Sequence, residues 1–335
     1  MEFQVPIHIP PLSTPIRYQD RIMLVGSCFT EHIGNKLEEL KFTVLQNPNG
    51  ILFDPDSIAK SLISYVYNRK CAEDDLFYLN ELWQSWQHHS RFSGMDKQEV
   101  LDNINASQQR AHAFLKTADW LIITPGTAFS YRLVAPKEIA GGEGSVANCH
   151  RAPGTWFNKH LMTIEEINTA LDNCLHQLFH FNPKLKIIFT VSPVRHIRDG
   201  VIDNNRSKAR LIEVVHHLVN KFDRLYYFPA YELLIDVLRD YRFYDIDLVH
   251  PNYQGTRYVL EKFMEHCVEE ASRKLSEEIE KLAIARRHKP FQPHTEAHKK
   301  FLRAHFEKAQ ALQQQYPFLD LKEELAYFGG GEANG

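Results

Sequence analysis

Two short segments of this 335-residue chain carry side chains able to do acyl chemistry. The first is Val25-Gly26-Ser27-Cys28-Phe29-Thr30, where an apolar run ends at a glycine and a helical pattern begins. A side chain on such a turn projects from the carboxyl end of the strand. It also meets the positive end of the helix dipole, which favours a developing anion. Ser27 and Cys28 are both candidate nucleophiles, and a thiol at this place is expected to have a lowered pKa. The bland alternative is a strand-to-helix turn with a buried cysteine. The second segment is Asp245-Ile-Asp247-Leu-Val-His250-Pro251-Asn252. An acid three residues before a histidine can hold one ring nitrogen, which leaves the other to act as general base. In a chain with 18 histidines, an acidic loop with a surface histidine would look the same.

Other segments carry weaker signals. Ser192-Pro193-Val194-Arg195-His196 ends a strand-like run. There Arg195 could bind an anionic group of a substrate and Ser192 could cap the loop, or the segment is a turn with surface basic residues. Trp86, His88 and His89 could form a lid or a sugar platform, but a partly buried aromatic cluster is the more economical reading.

The elements that must position these residues follow an alternating pattern. Apolar runs at 21–26, 42–45, 119–124, 186–192 and 225–228 read as strands, and amphipathic runs between them read as helices. Residues 30–40 and 207–222 each present an apolar stripe, and Thr163-x-x-Glu166 is a capping box that opens another helix. This alternation implies right-handed crossovers and a three-layer α/β/α sandwich of about five parallel strands in the flavodoxin-like order 2-1-3-4-5. Ligands in such folds bind beyond the carboxyl ends of the strands. Residues 1–285 are expected to form this domain, with an insertion at about 70–118 and one long helix over 252–283. A helical appendage is expected over 286–327 and a disordered end over 328–335.

Composition narrows the class. With 44% hydrophobic residues and a net charge of −3, the chain can bury a core and offers no basic surface for a nucleic acid. The cysteines at 28, 71, 149, 174 and 267 are odd in number and form no C-x-x-C pair, so reduced thiols in a cytoplasmic protein are expected. No leader or membrane span is read. No cofactor is called for, and a metal bound by Cys28, Cys149, His150 and His250 has no support in the spacing.

The two chemical segments together are similar to the first and last conserved blocks of the SGNH/GDSL hydrolases. More closely, the chain resembles the GSCFA family of that group. The resemblance rests on GSCF at 26–29, NPNGILFDP at 47–55, GTA at 126–128, VANCHRAP at 146–153, SPVRHIRDG at 192–200 with Ser207-Lys208, YFPAYE at 227–232 and DLVHP at 247–251. It covers roughly residues 15–265. What it implies is an ester hydrolase or acyltransferase, with the acyl group possibly borne by a carbohydrate. Aligned without gaps, Cys28 stands at the nucleophile position and Ser27 where an aspartate is usual, while a one-residue slip would make Ser27 the nucleophile. Gly50 matches a glycine whose N–H helps bind the oxyanion. Gly126 and Thr127 match a Gly-x-Asn turn, but Ala128 stands in place of its asparagine, so one oxyanion donor is missing. Asn148 could replace that donor from a loop whose Gly141-Gly-Glu-Gly144 stretch would fold over the site, and His150 could orient substrate or act as a second base.

Ser27, Cys28, Gly50, Gly126, Asn148, Asp247 and His250 are therefore expected to line one pocket. The competing expectation is a binding module that keeps the fold without turnover, which the Ala128 departure favours.

Overall fold

Arg21-Ile-Met-Leu-Val-Gly26 is buried along nearly its whole length because strands flank it on both sides. The computed structural model describes residues 5–136 and 144–330. Its strands are β1 (Arg21–Gly26), β2 (Thr43–Gln46), β3 (Phe77–Leu79), β4 (Leu82–Gln84), β5 (Trp120–Thr124), β6 (Phe129–Leu133), β7 (Gly144–Val146), β8 (Phe157–Leu161), β9 (Lys186–Phe189) and β10 (Leu225–Tyr227). Its helices are α1 (Cys28–Glu39), α2 (Pro55–Tyr67), α3 (Lys97–Thr117), α4 (Ile164–Phe181), α5 (Val201–Lys221), α6 (Tyr253–Cys267), α7 (Glu270–Arg287), α8 (Glu296–Gln315) and α9 (Lys322–Phe328).

The main sheet runs β2-β1-β5-β9-β10 with every pairing parallel, which is the 2-1-3-4-5 order expected from the alternation. Side chains leave a strand alternately to its two faces, so each strand feeds two cores. Ile22, Leu24, Trp120, Ile122 and Ile188 enter one, with α1, α6 and α7. Met23, Val25, Leu121, Ile123, Ile187 and Phe189 enter the other, with α2, α3, α4 and α5. Strand order reverses between β1 and β5, so the carboxyl ends of those two strands frame the crevice where such sheets bind ligands. Gly26 sits there with φ +151°. A Cβ at Gly26 would lie 2.3 Å from the carbonyl oxygen of Thr124, so only glycine lets the two strands approach this closely.

Three expectations need correction. Helix α3 contributes Ala111, Phe114 and Leu115 to the second core, so it is a crossover helix and not part of an insertion. The addition in that region is the β3–β4 hairpin with its flanking turns. A second addition, the antiparallel sheet β7-β6-β8, stands between β5 and α4, where the sequence showed only turns and loops. These strands are short and half-buried, so they lack the continuous apolar run that marks a central parallel strand.

The expected single helix over 252–283 is broken between α6 and α7. Val268 takes extended backbone to bridge Ile16, and the Glu269 N–H donates to the Ile16 carbonyl at 2.9 Å. The C-terminal helical appendage is present as expected, as α8 and α9, and it packs on the main domain. Ala309, Leu312, Leu319, Leu321 and Phe328 complete the same core as Ile22 and Leu24, and Lys41 pairs with the buried Glu324 at 3.2 Å. Phe328 closes α9 in a buried position, while residues 331–335 lie outside the described residues. Among the described residues no helix is long and apolar enough to cross a membrane.

Candidate active site

Ser27 is the N-cap residue of α1 and Cys28 its first helical residue, as the strand–glycine–helix pattern requires. Ser27 does not cap the helix with its side chain. It is 1% exposed, its N–H donates to Thr124, and its hydroxyl lies buried without a hydrogen-bond partner. Cys28 is half-buried. Burial pushes its thiol up from the ordinary value, contrary to the lowered pKa expected from the helix dipole. The N–H groups of Phe29 and Cys28 and the charge of Lys208 act in the opposite direction. Desolvation wins because the side chain packs into the first core.

The Asp247–His250 pair forms as its spacing suggests. His250 Nδ1 and Asp247 Oδ2 are 2.6 Å apart, and Asp247 Oδ1 accepts the N–H groups of Val249 and His250 at 2.9 and 3.0 Å. These hydrogen bonds, that of the His250 ring first, hold the Asp247 carboxyl down to about 2. Leu248 adopts φ +60° to close the loop. Both side chains remain nearly half exposed, and the segment is tied to the loop after β9, at the carboxyl edge of the sheet, through Val249. Among the described residues no hydrogen bond joins His250 to Ser27 or Cys28. Instead, His250 lies within electrostatic reach of His32 and His196. His32 stands one helical turn after Cys28 on the same face of α1, which aims that face at the Asp247–His250 loop.

Gly126 reaches the site as expected. A Cβ there would lie 3.2 Å from Ser27 Cβ and 3.4 Å from His196 Nε2. The backbone donors assigned to the oxyanion, however, are occupied. The Gly50 N–H donates to Asn47 at 2.8 Å inside its own turn, and His89 covers the space beside it. The N–H groups of Gly126 and Thr127 both donate to Phe53, at 2.7 and 3.1 Å. Thr127 Oγ1 meets Ser207 Oγ at 3.0 Å, and Ala128 is sealed into the second core. Buried amides take the carbonyl that the fold brings to them, from their own turn at Gly50 and from a distant loop at Gly126 and Thr127, which sequence matching does not register.

The Asn148–His150 segment also departs from expectation. Asn148 Oδ1 accepts the N–H of His150 at 2.8 Å. His150 is buried edge-on to Phe77 and Trp86, with Nε2 2.8 Å from the Ser85 carbonyl. It belongs to the hairpin's aromatic cluster and does not face the Asp247–His250 pair as a second base. Trp86 stacks on Phe77 at 3.7 Å between centroids, and His88 is buried, so the aromatic-cluster reading holds for both. Most of the glycine-rich stretch thought to fold over the site, residues 141–143, lies outside the described residues. Ser192 is fully buried and accepts the N–H of Val194, so it caps its loop. Arg195 stacks over Tyr244 and Tyr241 at 4.7 and 5.6 Å and ties its loop to Val249 through its N–H. No carboxylate pairs with it among the described residues. Nor is any group of three or more His, Cys, Asp or Glu placed to hold a metal there.

The resemblance includes Ser207-Lys208 without assigning either a role, and Asn204 was missed in the sequence; all three lie on the first turns of α5. Asn204, Ser207 and Lys208 are all buried and all point to the site edge. Asn204 Oδ1 accepts the N–H of His196 at 2.9 Å. Ser207 Oγ accepts that of Ala128 at 2.6 Å. Lys208 Nζ donates to the carbonyls of Gly126 and Ser192, each at 2.6 Å. A usable signal existed, because these positions extend the Leu211–Val214–Val215–Leu218 stripe by one polar turn at i, i+3 and i+4 spacing.

With this geometry in hand, comparison with protein families gives a match to the GSCFA family over residues 21–263, most of the chain. The chain belongs to the GSCFA family. A second model, the GSCFA domain protein C-terminal domain, matches residues 279–330 and so takes in the end of α7 with α8 and α9. Comparison with curated proteins found no match.

The buried His88 and the half-buried His196 are expected to give this GSCFA protein a pH-dependent stability. His88 is held down to about 4 by burial and then by the charge of His150, and His196 to about 4 by burial and then by Lys208. The folded chain therefore refuses protons that the unfolded chain accepts below the ordinary histidine value of 6.5. Their contribution is intact above pH 6.5 and is lost as pH falls toward 4. The loss is on the order of 3 kcal/mol for the fully buried His88. The urea midpoint of wild type is expected to fall relative to that of His88→Gln between about pH 6.5 and 4.5, a comparison that removes the opposing gain from the buried Asp54 carboxyl, which burial pushes up to about 6. A difference that stays constant over that window would show that His88 is not excluded from protonation.

Proposed function

We propose that the protein is an SGNH/GDSL-type hydrolase or acyltransferase acting on an ester, with Cys28 as nucleophile and the Asp247–His250 pair as its acid–base partner. The observation that carries this reading is the pair itself: a half-exposed imidazole, fixed at Nδ1 by a carboxylate 2.6 Å away, at the carboxyl edge of a 2-1-3-4-5 sheet. Of the two adjacent candidates, Cys28 is the accessible one, while the Ser27 hydroxyl is enclosed. In the proposed reaction His250 Nε2 takes the thiol proton as sulfur attacks the ester carbonyl. The C–O bond breaks, and the alcohol leaves with that proton. Water, or a second alcohol in a transferase, then cleaves the thioester. Because the Ser27 side chain leaves α1 uncapped, the first-turn N–H groups of Cys28 and Phe29 are the donors best placed for the oxyanion. An acyl group on a carbohydrate remains the substrate suggested by the SGNH resemblance, and Arg195, with no acid partner, suits an anionic group on it.

One observation favours the second reading, a binding module without turnover: the N–H groups of Gly50, Gly126 and Thr127 are already satisfied within the fold. A panel of esters graded by acyl length, including acylated sugars, separates the two. Multiple turnovers with release of alcohol are the expected result. Saturable binding of the same compounds with no release would establish the module.

A further inference from the structure

Lys208 is 1% exposed, yet no carboxylate pairs with it among the described residues. Leaving an ammonium buried without an acid is costly, so some other group must offset its charge. Its Nζ donates to the carbonyls of Gly126 and Ser192, which belong to the loops following β5 and β9. An amine so held has one direction left, an N–H when protonated and a lone pair when neutral. Gly126 packs against Ser27, which puts the carbonyl that holds Nζ next to the turn that carries Cys28, and the Tyr231 ring lies 5.9 Å from Nζ. Lys208 and Cys28 act on each other electrostatically, each favouring the charged form of the other.

We infer that Lys208 is the counter-charge of the Cys28 thiolate, held beneath the turn by the Gly126 and Ser192 carbonyls. The inference rests on Cys28 being the nucleophile proposed above. When the S–H bond breaks, its proton goes to His250, and the charge left on sulfur faces the ammonium. Burial holds the amine down to about 7 against the opposing charge of Cys28, so thiolate formation and amine protonation support one another. Lys208 is thus a positioning residue that acts through Cys28. Other titratable groups face the pair: Glu31 on α1 beside Cys28, His196 and Tyr231 near Lys208, and His32 and His250 at the rim. All of them stay in place when Lys208 alone is changed.

The test reads the thiol, not turnover. The rate of iodoacetamide modification at Cys28 is followed by mass spectrometry across about pH 6 to 11, a range set by ordinary and raised thiol values. Full-length wild type, Lys208→Gln and Lys208→Arg are compared. Glutamine keeps two N–H donors for the carbonyls without the charge, and arginine keeps the charge. Lys208→Gln is expected to move the Cys28 midpoint upward by about one pH unit or more, a tenfold loss of thiolate near neutrality, while Lys208→Arg stays near wild type and Cys71, which burial pushes up to about 12, reacts equally slowly in all three. An unmoved midpoint in Lys208→Gln, or equal shifts in both variants, would overturn the inference. If neither variant folds, the wild-type profile decides. Cys28 must titrate below Cys149 and Cys71, whose thiols burial pushes up to about 11 and 12. Titration together with those two, or above them, overturns it. A negative result leaves ester hydrolysis standing, and an inactive enzyme leaves the alkylation result standing.

Discussion

Replacing Cys28 with alanine is expected to lower ester turnover by at least about a thousandfold, the scale of losing a covalent nucleophile while binding and oxyanion contacts remain. Ser27→Ala is expected to retain most of the activity, because the Ser27 hydroxyl is enclosed and bonds to nothing. Removing an unsatisfied buried hydroxyl is also neutral or stabilising, so the thermal midpoint of Ser27→Ala should stay level or rise. Steady-state kinetics on the best ester of the panel, with melting curves of both variants, reads the pair. The reverse ranking would make Ser27 the nucleophile and Cys28 its packing. Equal activity in the two would remove covalent catalysis from this turn.

Asp247→Asn should reduce kcat by on the order of a thousand- to ten-thousandfold, with little change in KM. The amide can still touch His250, but it cannot insist on the tautomer that leaves Nε2 free to accept a proton. Nor can it stabilise the imidazolium that forms during attack. Stability should barely move, since the pair is nearly half exposed and its charges are screened. A kcat within about tenfold of wild type would mean that the pair only shapes its loop. Loss of folding would show that the hydrogen bonds from Val249 and His250 to Asp247 hold more than that loop.

The legible part of the site was local. Asp247 and His250 are three residues apart, and the carboxylate closes the loop on itself through hydrogen bonds inside the segment, so the pair could be read without knowing the fold. Ser27 and Cys28 were legible for the same reason, since glycine between a buried strand and an amphipathic helix fixes where they project. The same motif misled about the thiol. The helix dipole is a local property, but burial depends on what packs against α1, and burial prevailed.

Apolar runs alternating with amphipathic ones were enough by themselves to determine the sheet and its parallel sense, because burying both faces of a parallel sheet leaves few ways to thread the chain, whereas the strand order was an expectation of the flavodoxin-like type. The tertiary structure alone decided the rest. It spent the Gly50 amide on its own turn and the amides of Gly126 and Thr127 on the Phe53 carbonyl of a distant loop, drew His150 into the aromatic cluster of the hairpin, and folded the C-terminal helices into the first core. It also brought Lys208 to Gly126 across 82 residues of chain. Periodicity reports which face of an element is buried. It does not report which distant element arrives there, and the orientation of every buried polar group depends on that arrival, since each must find its partner where the packing happens to place one.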